Sequence, residues 1–315
     1  ELGGMLRVGI PDYRLPPKIL DREIDSILRL GVDVRTGMRL GTDFTLDDLK
    51  SEGYAAVFLA IGAHGSVKLN IAGETDTHGV MDAVEFLRQA NLGDNTLPGR
   101  HLVIVGGGNV AVDAARVAVR LGAQTVRVVY RRSEKEMPAY PEEIQDARDE
   151  AIEFSFLTAP VRIIAEGGKV CGLECIRTEL GEPDAGGRRR PVMVEGSEFV
   201  VACDGVIAAI GQRIDRAWAA QLPELQWSRR TTLSVETATL QTAIPYVFAG
   251  GDMVTGPASV IEAVAAGHKA VAAICSFLNH GDLTTISEPE TDLESPGRDW
   301  REIPPDIAGR SRLPS

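Results

Sequence analysis

The chain has 315 residues and is 44% hydrophobic, enough apolar side chain to bury the cores of two ordinary domains. Its 33 basic and 45 acidic residues leave a formal charge of -12, which disfavours non-specific nucleic-acid binding and docking on an anionic membrane. Any anionic ligand must therefore be held by local groups.

The opening Glu1-Leu2-Gly3-Gly4 lacks the basic start and apolar stretch of a secretion signal, so a cytoplasmic protein is expected. The first periodic segment is 17–30, a predicted helix with Leu20, Ile24, Ile27 and Leu28 on one face and Gly31 as its stop. A short strand is expected at 32–35. Thr45 with Asp48 three residues on reads as a capping box that opens a second helix. The run 54–61 is apolar throughout, the character of a parallel strand covered on both faces.

From Leu102 the pattern is a βαβ unit: strand 102–105, a glycine turn, a helix to Leu121 closed by Gly122, and a strand at 126–130. A polar helix is expected over 141–151, then several short strands. One pair forms a predicted hairpin whose turn holds Gly186, Gly187, Arg188, Arg189 and Arg190, read as a solvated loop. A fully apolar strand at 205–210 and another at 246–249 follow. Segment 259–278 is long and apolar but carries Glu262, His268 and Lys269 and is rich in alanine, so it is expected to be a buried core helix and no membrane span. Beyond Ser287, proline and charge without periodicity predict an extended tail. The four cysteines, Cys171, Cys175, Cys203 and Cys275, form no C-x-x-C and no metal-ligand pattern. Cys171 and Cys175, four apart in a strand, are expected on one face as small buried residues.

Gly106-Gly107-Gly108-Asn109-Val110-Ala111 fits G-x-G-x-x-A between a strand and a helix, the setting a dinucleotide fingerprint requires. Gly106 permits the tight turn and Gly108 lets backbone approach a pyrophosphate. Ala111, Ala114, Ala115 and Ala118 let the helix pack close to the sheet. The helix N-terminus offers N–H groups and positive dipole to phosphate. Where an NAD site places an acidic residue on the ribose, this chain has Arg131 and Arg132, which favours the 2′-phosphate of NADP(H). A second strand–turn–helix arrangement is Gly250-Gly251-Asp252 followed by Gly256-Pro257-Ala258-Ser259-Val260. Asp252 is read as an acceptor for polyol hydroxyls, with the N–H groups at 258–260 directed at an electron-rich ring edge.

Several strings make a resemblance specific: Gly3-Gly4-Met5-Leu6, the segment from Gly9 through Tyr13-Arg14 to Pro16, the strand ends Ala60-Ile61-Gly62 and Ala209-Ile210-Gly211, Arg131-Arg132 with Met137-Pro138-Ala139, and Gly251-Asp252. Together they resemble the glutamate synthase small-subunit family of FAD- and NAD(P)H-dependent oxidoreductases, with NADPH-dependent ferredoxin oxidoreductases and the N-terminal half of dihydropyrimidine dehydrogenase among its relatives. The resemblance spans residues 1 to about 283. It implies an α/β protein of two Rossmann-like, three-layer domains of the pyridine nucleotide-disulfide oxidoreductase type: a discontinuous FAD domain (1–77 and 217–286), an inserted NAD(P)H domain (78–216) and a tail (287–315). By position, Gly3, Gly4, Met5, Leu6, Arg14, Gly62, Gly251, Asp252, Ala258, Ser259 and Val260 would line FAD. Gly106, Gly108, Asn109, Val110, Ala111, Arg131, Arg132 and Gly211 would line NADP(H).

Hydride passes directly between two apposed rings, so no general acid or base and no metal is assigned. The family's own first strand and glycine turn, and the iron–sulfur cysteine segment before it, are not among these residues. The FAD domain is thus expected to be incomplete, holding the flavin weakly or gaining a strand from an oligomer or a complementing chain. The leading reading is an NADPH-oxidising FAD module that passes electrons to an iron–sulfur or other partner protein. The alternative is a non-enzymatic NADP(H)-binding module with a defective FAD site. A disulfide reductase on the same architecture is disfavoured by the absence of C-x-x-C.

Overall fold

The computed structural model describes residues 1–183, 189–220, 222–229, 231–281 and 283. In chain order its elements are α1 (Gly4–Val8), α2 (Pro17–Leu28), α3 (Leu46–Ser51), β1 (Val57–Leu59), β2 (Gly65–Ser66), β3 (Val80–Asp82), α4 (Ala83–Asn91), β4 (His101–Val105), α5 (Asn109–Arg120), β5 (Thr125–Val129) and α6 (Pro141–Asp149). Then follow β6 (Glu153–Ser155), β7 (Thr158–Glu166), β8 (Lys169–Pro183), β9 (Arg189–Met193), β10 (Phe199–Val201), β11 (Gly205–Ala208), β12 (Gln212–Arg213), β13 (Val247–Ala249), α7 (Asp252–Thr255) and α8 (Val260–His280).

The middle of the chain builds a five-stranded parallel sheet in the order β3-β11-β4-β5-β6. Helices α4, α5 and α6 cover one face through Phe86, Leu87, Ala111, Ala114, Ala118 and Ile144. The alanines bring α5 close enough that most of its length is buried. The other face is covered by the antiparallel strands β7, β8 and β10, through Ile163, Leu173, Cys175 and Val201. The third layer is therefore sheet rather than helix.

The second unit has a smaller frame. Strands β1 and β13 pair in parallel and share a core with Leu46, Leu233 and Met253. No residue before Leu40 joins that core, whereas Tyr13 packs into the first one. The units are connected by two antiparallel residue pairs, β2 against β12, with Gln212 Nε2 donating to the Ala63 carbonyl at 3.1 Å.

The capping box expected at Thr45 and Asp48 forms on α3, and the structure adds a second one, Ser259 with Glu262, on α8. Other expectations are corrected. Residues 32–35 form no strand, having no neighbour to pair with, and the strand within 54–61 is only Val57–Leu59. Of the apolar face of α2 only Leu20 is buried, with Ile27 and Leu30 exposed. Cys171 is exposed while Cys175 is buried. The reason is a register shift in the β7–β8 ladder: Ile164 pairs with Gly172 and Ala165 with Val170, so Cys171 bulges and the two-residue alternation is broken there. Burial pushes the thiols of Cys175 and Cys203 up to about 12, which keeps them as unreactive core residues. Arg189 and Arg190 lie in strand β9; Gly186, Gly187, Arg188 and the tail at 287–315 lie outside the described residues.

The largest correction concerns α8, expected to be a core helix. Only Ala270, Ala273 and Ser276 are buried on it, and Ile261 is 72% exposed, as are much of Val260, Val264, Val271 and Leu278. By length and composition alone it could also cross a membrane. Two strands about 4.8 Å apart present too narrow a surface to cover more than one stripe of a helix.

Candidate nucleotide-binding site

Strand β4 is buried along four of its five residues and ends directly in Gly106. There the backbone needs glycine: φ is +153°, and an added Cβ would lie 2.2 Å from the Ala209 carbonyl oxygen. Gly107 is just as closely covered, by the ring of Tyr130 at 2.5 Å from such a Cβ. Gly108 differs. It is the N-cap of α5, has no side-chain cap, and a Cβ built on it would meet only Pro138, at 4.0 Å. The space over the helix start is open, and the turn fits a pyrophosphate approaching the uncapped N–H groups of a 12-residue helix.

The expected partners of this turn are partly committed elsewhere. Asn109 Oδ1 accepts the Tyr140 N–H at 3.0 Å, and Gly107 O accepts that of Ala139, so the Met137-Pro138-Ala139 segment folds back over the turn. Val110 is partly buried and Ala111 fully buried in the α5 core. Arg131 and Arg132 follow β5, past Tyr130. The Arg131 guanidinium is exposed and has no hydrogen bond or ion pair among the described residues. Arg132 donates from Nε to the Arg189 carbonyl at 2.9 Å, while Thr178 donates to the Arg131 carbonyl at 2.8 Å. The β8–β9 hairpin is thereby docked on the arginine pair, a contact that the sequence reading of 188–190 as a free loop missed.

At the second place, Gly250 and Gly251 end β13. A Cβ on Gly250 would lie 2.9 Å from the Phe58 ring and 3.2 Å from Ala266 Cβ, so its absence lets β1 and α8 meet. Gly251 has φ +65° and ψ -152°, a conformation closed to other residues. Asp252 accepts the Ala258 N–H at 3.1 Å, and Ser259 N–H donates to Glu262 at 2.8 Å. Two of the three N–H groups expected to face a ring edge are therefore taken by capping interactions, and only that of Val260 is left. Burial, and then the neighbouring Glu262, raise the Asp252 carboxyl above its ordinary range, while His64 acts in the opposite direction.

His64 was not singled out from the sequence, where a lone histidine after a glycine carries no signal. Its ring stands 3.6 Å from where a Cβ on Gly62 would be, and it lines a cavity of about 700 Å³ together with Gly4, Val8, Arg39, Ser66, Asp82, Glu85 and Arg88. His64 thus stands near Gly62, interacts electrostatically with Asp252 and shares the cavity wall with Gly4. Gly211 joins the hinge by accepting the Val67 N–H at 3.0 Å. Leu6 lines a different cavity of about 500 Å³, between 10–20 and the ends of α4 and α5. Met5 folds its sulfur over Gly9, and Gly3 packs on Leu20. The turn at Gly106 lines neither cavity.

Arg14, expected against FAD, is bound within the protein. Its Nη2 lies 2.7 Å from Glu143, and its Nε is 3.2 Å from Asp113 Oδ1 without hydrogen-bonding geometry. Asp113 sits on α5, 6% exposed, and accepts the Tyr13 hydroxyl at 3.0 Å. Desolvation pushes its carboxyl from an ordinary 3.8 up to about 6, against the pull of Arg14. A carboxyl raised by folding contributes stability below its unfolded value and loses it as pH rises through about 6. Relative to Asp113→Asn, the wild-type protein should therefore lose ~1 kcal/mol of unfolding free energy between pH 5 and pH 7, read from urea titrations at both. A difference that does not change with pH would refute the assignment.

Two glycine-rich strand–turn–helix segments, each at the end of a parallel strand and in units linked by a pair of hinge strands, are the framework of the dinucleotide-binding α/β class. Residues 16–267 match the family model of the pyridine nucleotide-disulphide oxidoreductases. The chain is 46% identical over 292 residues to the NADP(+)-dependent formate dehydrogenase subunit beta of Moorella thermoacetica, covering 92% of this chain and 41% of that one. It is 38% identical over 293 residues to the glutamate synthase [NADPH] small chain of Escherichia coli (strain K12), covering 88% and 62%. Among solved structures, Mycobacterium tuberculosis FprA in complex with NADPH shares the fold, with a TM-score of 0.69 at 20% identity over 88% of this chain and 74% of that one. The chain belongs to the pyridine nucleotide-disulphide oxidoreductase family, in the branch of the glutamate synthase small chains. It spans about half the length of the curated relatives it matches.

Proposed function

We propose that this chain is an NADPH-oxidising flavoprotein module that passes electrons to a partner protein. The observation that carries this reading is the pair of glycine turns in units joined by hinge strands, one with an open helix start at Gly108 and the other with Gly62 and Asp252 near His64, which itself lines the 700 Å³ cavity. Bound at the second, FAD supplies a two-electron acceptor for the hydride of NADPH. The chain's own contribution is positional. Gly106 and Gly108 admit the pyrophosphate to the α5 N-terminus, Arg131 and Arg132 meet the 2′-phosphate, and Asp252 accepts ribityl hydroxyls. No side chain needs to move a proton for the transfer. Relatives named as subunits of a formate dehydrogenase and of an NADPH-Fe(3+) oxidoreductase, and as the small chain of a glutamate synthase, support a multi-subunit setting. The acceptor in this proposal is an iron–sulfur or other partner protein.

The test is the visible spectrum of the FAD-loaded protein: a flavin band that NADPH bleaches supports the reading, and a band indifferent to NADPH sinks it. The second reading, a non-enzymatic NADP(H)-binding module, draws on the two-stranded second sheet and the bare face of α8, which leave the FAD side weakly framed. The same spectrum separates the two.

Replacing Arg131 and Arg132 by alanine should weaken NADPH binding by about ten- to a hundredfold, since one charge-assisted hydrogen bond contributes about 1.5–3 kcal/mol. NADH binding should hardly change. Equal losses for both nucleotides, measured by fluorescence titration, would remove the arginines from the 2′-phosphate.

A further inference from the structure

We propose that residues 9–16 form a latch that fixes the α1 segment in register on α5, with Tyr13, Arg14 and Asp113 as its positioning residues. The consequence for catalysis rests on the function proposed above; the latch itself rests on geometry alone. Helix α1 has only five residues, too few to hold a conformation by its own hydrogen bonds, and it carries Gly4 and Val8 into the wall of the 700 Å³ cavity. The Arg7–Asp21 ion pair ties it to α2, and the segment that follows ties it to α4 and α5. Asn91 on α4 donates to the Ile10 carbonyl at 3.1 Å. Tyr13 then packs on α5, with the Arg116 and Arg120 guanidinium groups 4.7 and 4.3 Å from its ring centroid and its hydroxyl on Asp113. Arg14 reaches Asp113 and Glu143.

The grip is itself braced. Arg116, 7% exposed, pairs with Glu143, Asp146 and Glu150, and Arg120 pairs with Glu150, which ties α5 to α6 under the tyrosine. Asp113 stands four positions after Asn109, one turn below the glycine turn. The segment that shapes one cavity is thereby referenced to the helix that opens at the other nucleotide. An apolar contact would hold α1 as firmly. One directional hydrogen bond from the tyrosine to a buried carboxylate, flanked by the ion pairs of Arg14 with Glu143 and Asp113, also sets its rotation and advance along α5.

Tyr13→Phe removes one hydroxyl and keeps the ring; Asp113→Asn removes the charge. In both variants, amides of α1 and of 9–16 should exchange hydrogen at least about tenfold faster, while those of α5 and α6 keep their protection. In the FAD-loaded protein, reduction by NADPH followed by stopped flow should slow by about tenfold or more, because a 1 Å misplacement is enough for such a loss, while the Kd for NADP+ stays within about twofold. Wild-type exchange in α1 in both variants would overturn the latch. A fall in NADP+ affinity in step with the rate would overturn it as well, since the network would then belong to the nucleotide pocket. If the unaltered protein binds no NADP+, the proposed function fails while the exchange comparison still decides the latch.

Discussion

Gly106→Ala should lower NADP+ affinity at least about a hundredfold, equivalent to ~2.8 kcal/mol, and destabilise the nucleotide domain by a further ~1–3 kcal/mol. The added methyl would lie 2.2 Å from the Ala209 oxygen and 2.8 Å from its carbonyl carbon, both backbone atoms at the end of β11. No rotamer relieves that contact. Either β11 separates from β4, breaking the 2.8 Å bond from Ala209 N–H to the Val105 carbonyl, or the turn rises and carries the α5 N-terminus with it. The second outcome withdraws the N–H groups on which the proposed pyrophosphate site depends. Calorimetric titration with NADP+ and a thermal melt read the two effects separately. Unchanged affinity in a folded variant would remove the turn from the binding site.

Phe248→Ala should remove ~3–5 kcal/mol from the second unit, the usual result of emptying a fully buried aromatic position. Phe248 is the central residue of β13 and pairs in register with Phe58 on β1. Its ring meets that of Phe277 at 5.8 Å and 68°, an edge-to-face contact. Helix α8 has few other attachments, so the variant should free it from the sheet and disturb the Gly250–Asp252 turn that the same packing holds. Denaturant unfolding and hydrogen exchange along α8 measure this. A loss under about 1 kcal/mol would mean that α8 is held elsewhere.

Much of the nucleotide domain was readable because its signals are local. A buried apolar run, three glycines, an alanine-rich helix and a closing glycine lie within about twenty residues, and together they specify strand, turn and helix without reference to the rest of the chain. The capping box at Thr45 is local in the same sense. The second unit was read less well. Residues 32–35 and most of 54–61 carry strand propensity, but a strand exists only where a neighbour accepts its hydrogen bonds, and only Val57–Leu59 meets β13. Cys171 shows the same limit at one residue, since the ladder slips there by one position and periodicity alone cannot show it.

The candidate site divides along that line. Residue type and spacing single out Gly106, Gly108, Arg131, Arg132, Gly251 and Asp252 as candidates, because each stands within three residues of a strand end, where backbone chemistry is set by a few neighbours. Arg14 carried no such signal: its partners Asp113 and Glu143 lie about a hundred residues further on, and only chain folding decides that its charge is neutralised inside the protein. The same holds for His64 beside Asp252, and for Ala258 and Ser259, whose N–H groups are satisfied internally. Short-range sterics and hydrogen bonding write strand, turn and helix start into neighbouring residues. Which polar groups stay free for a ligand is settled by contacts between distant segments, because a buried charge or N–H takes whatever partner the packing brings within reach.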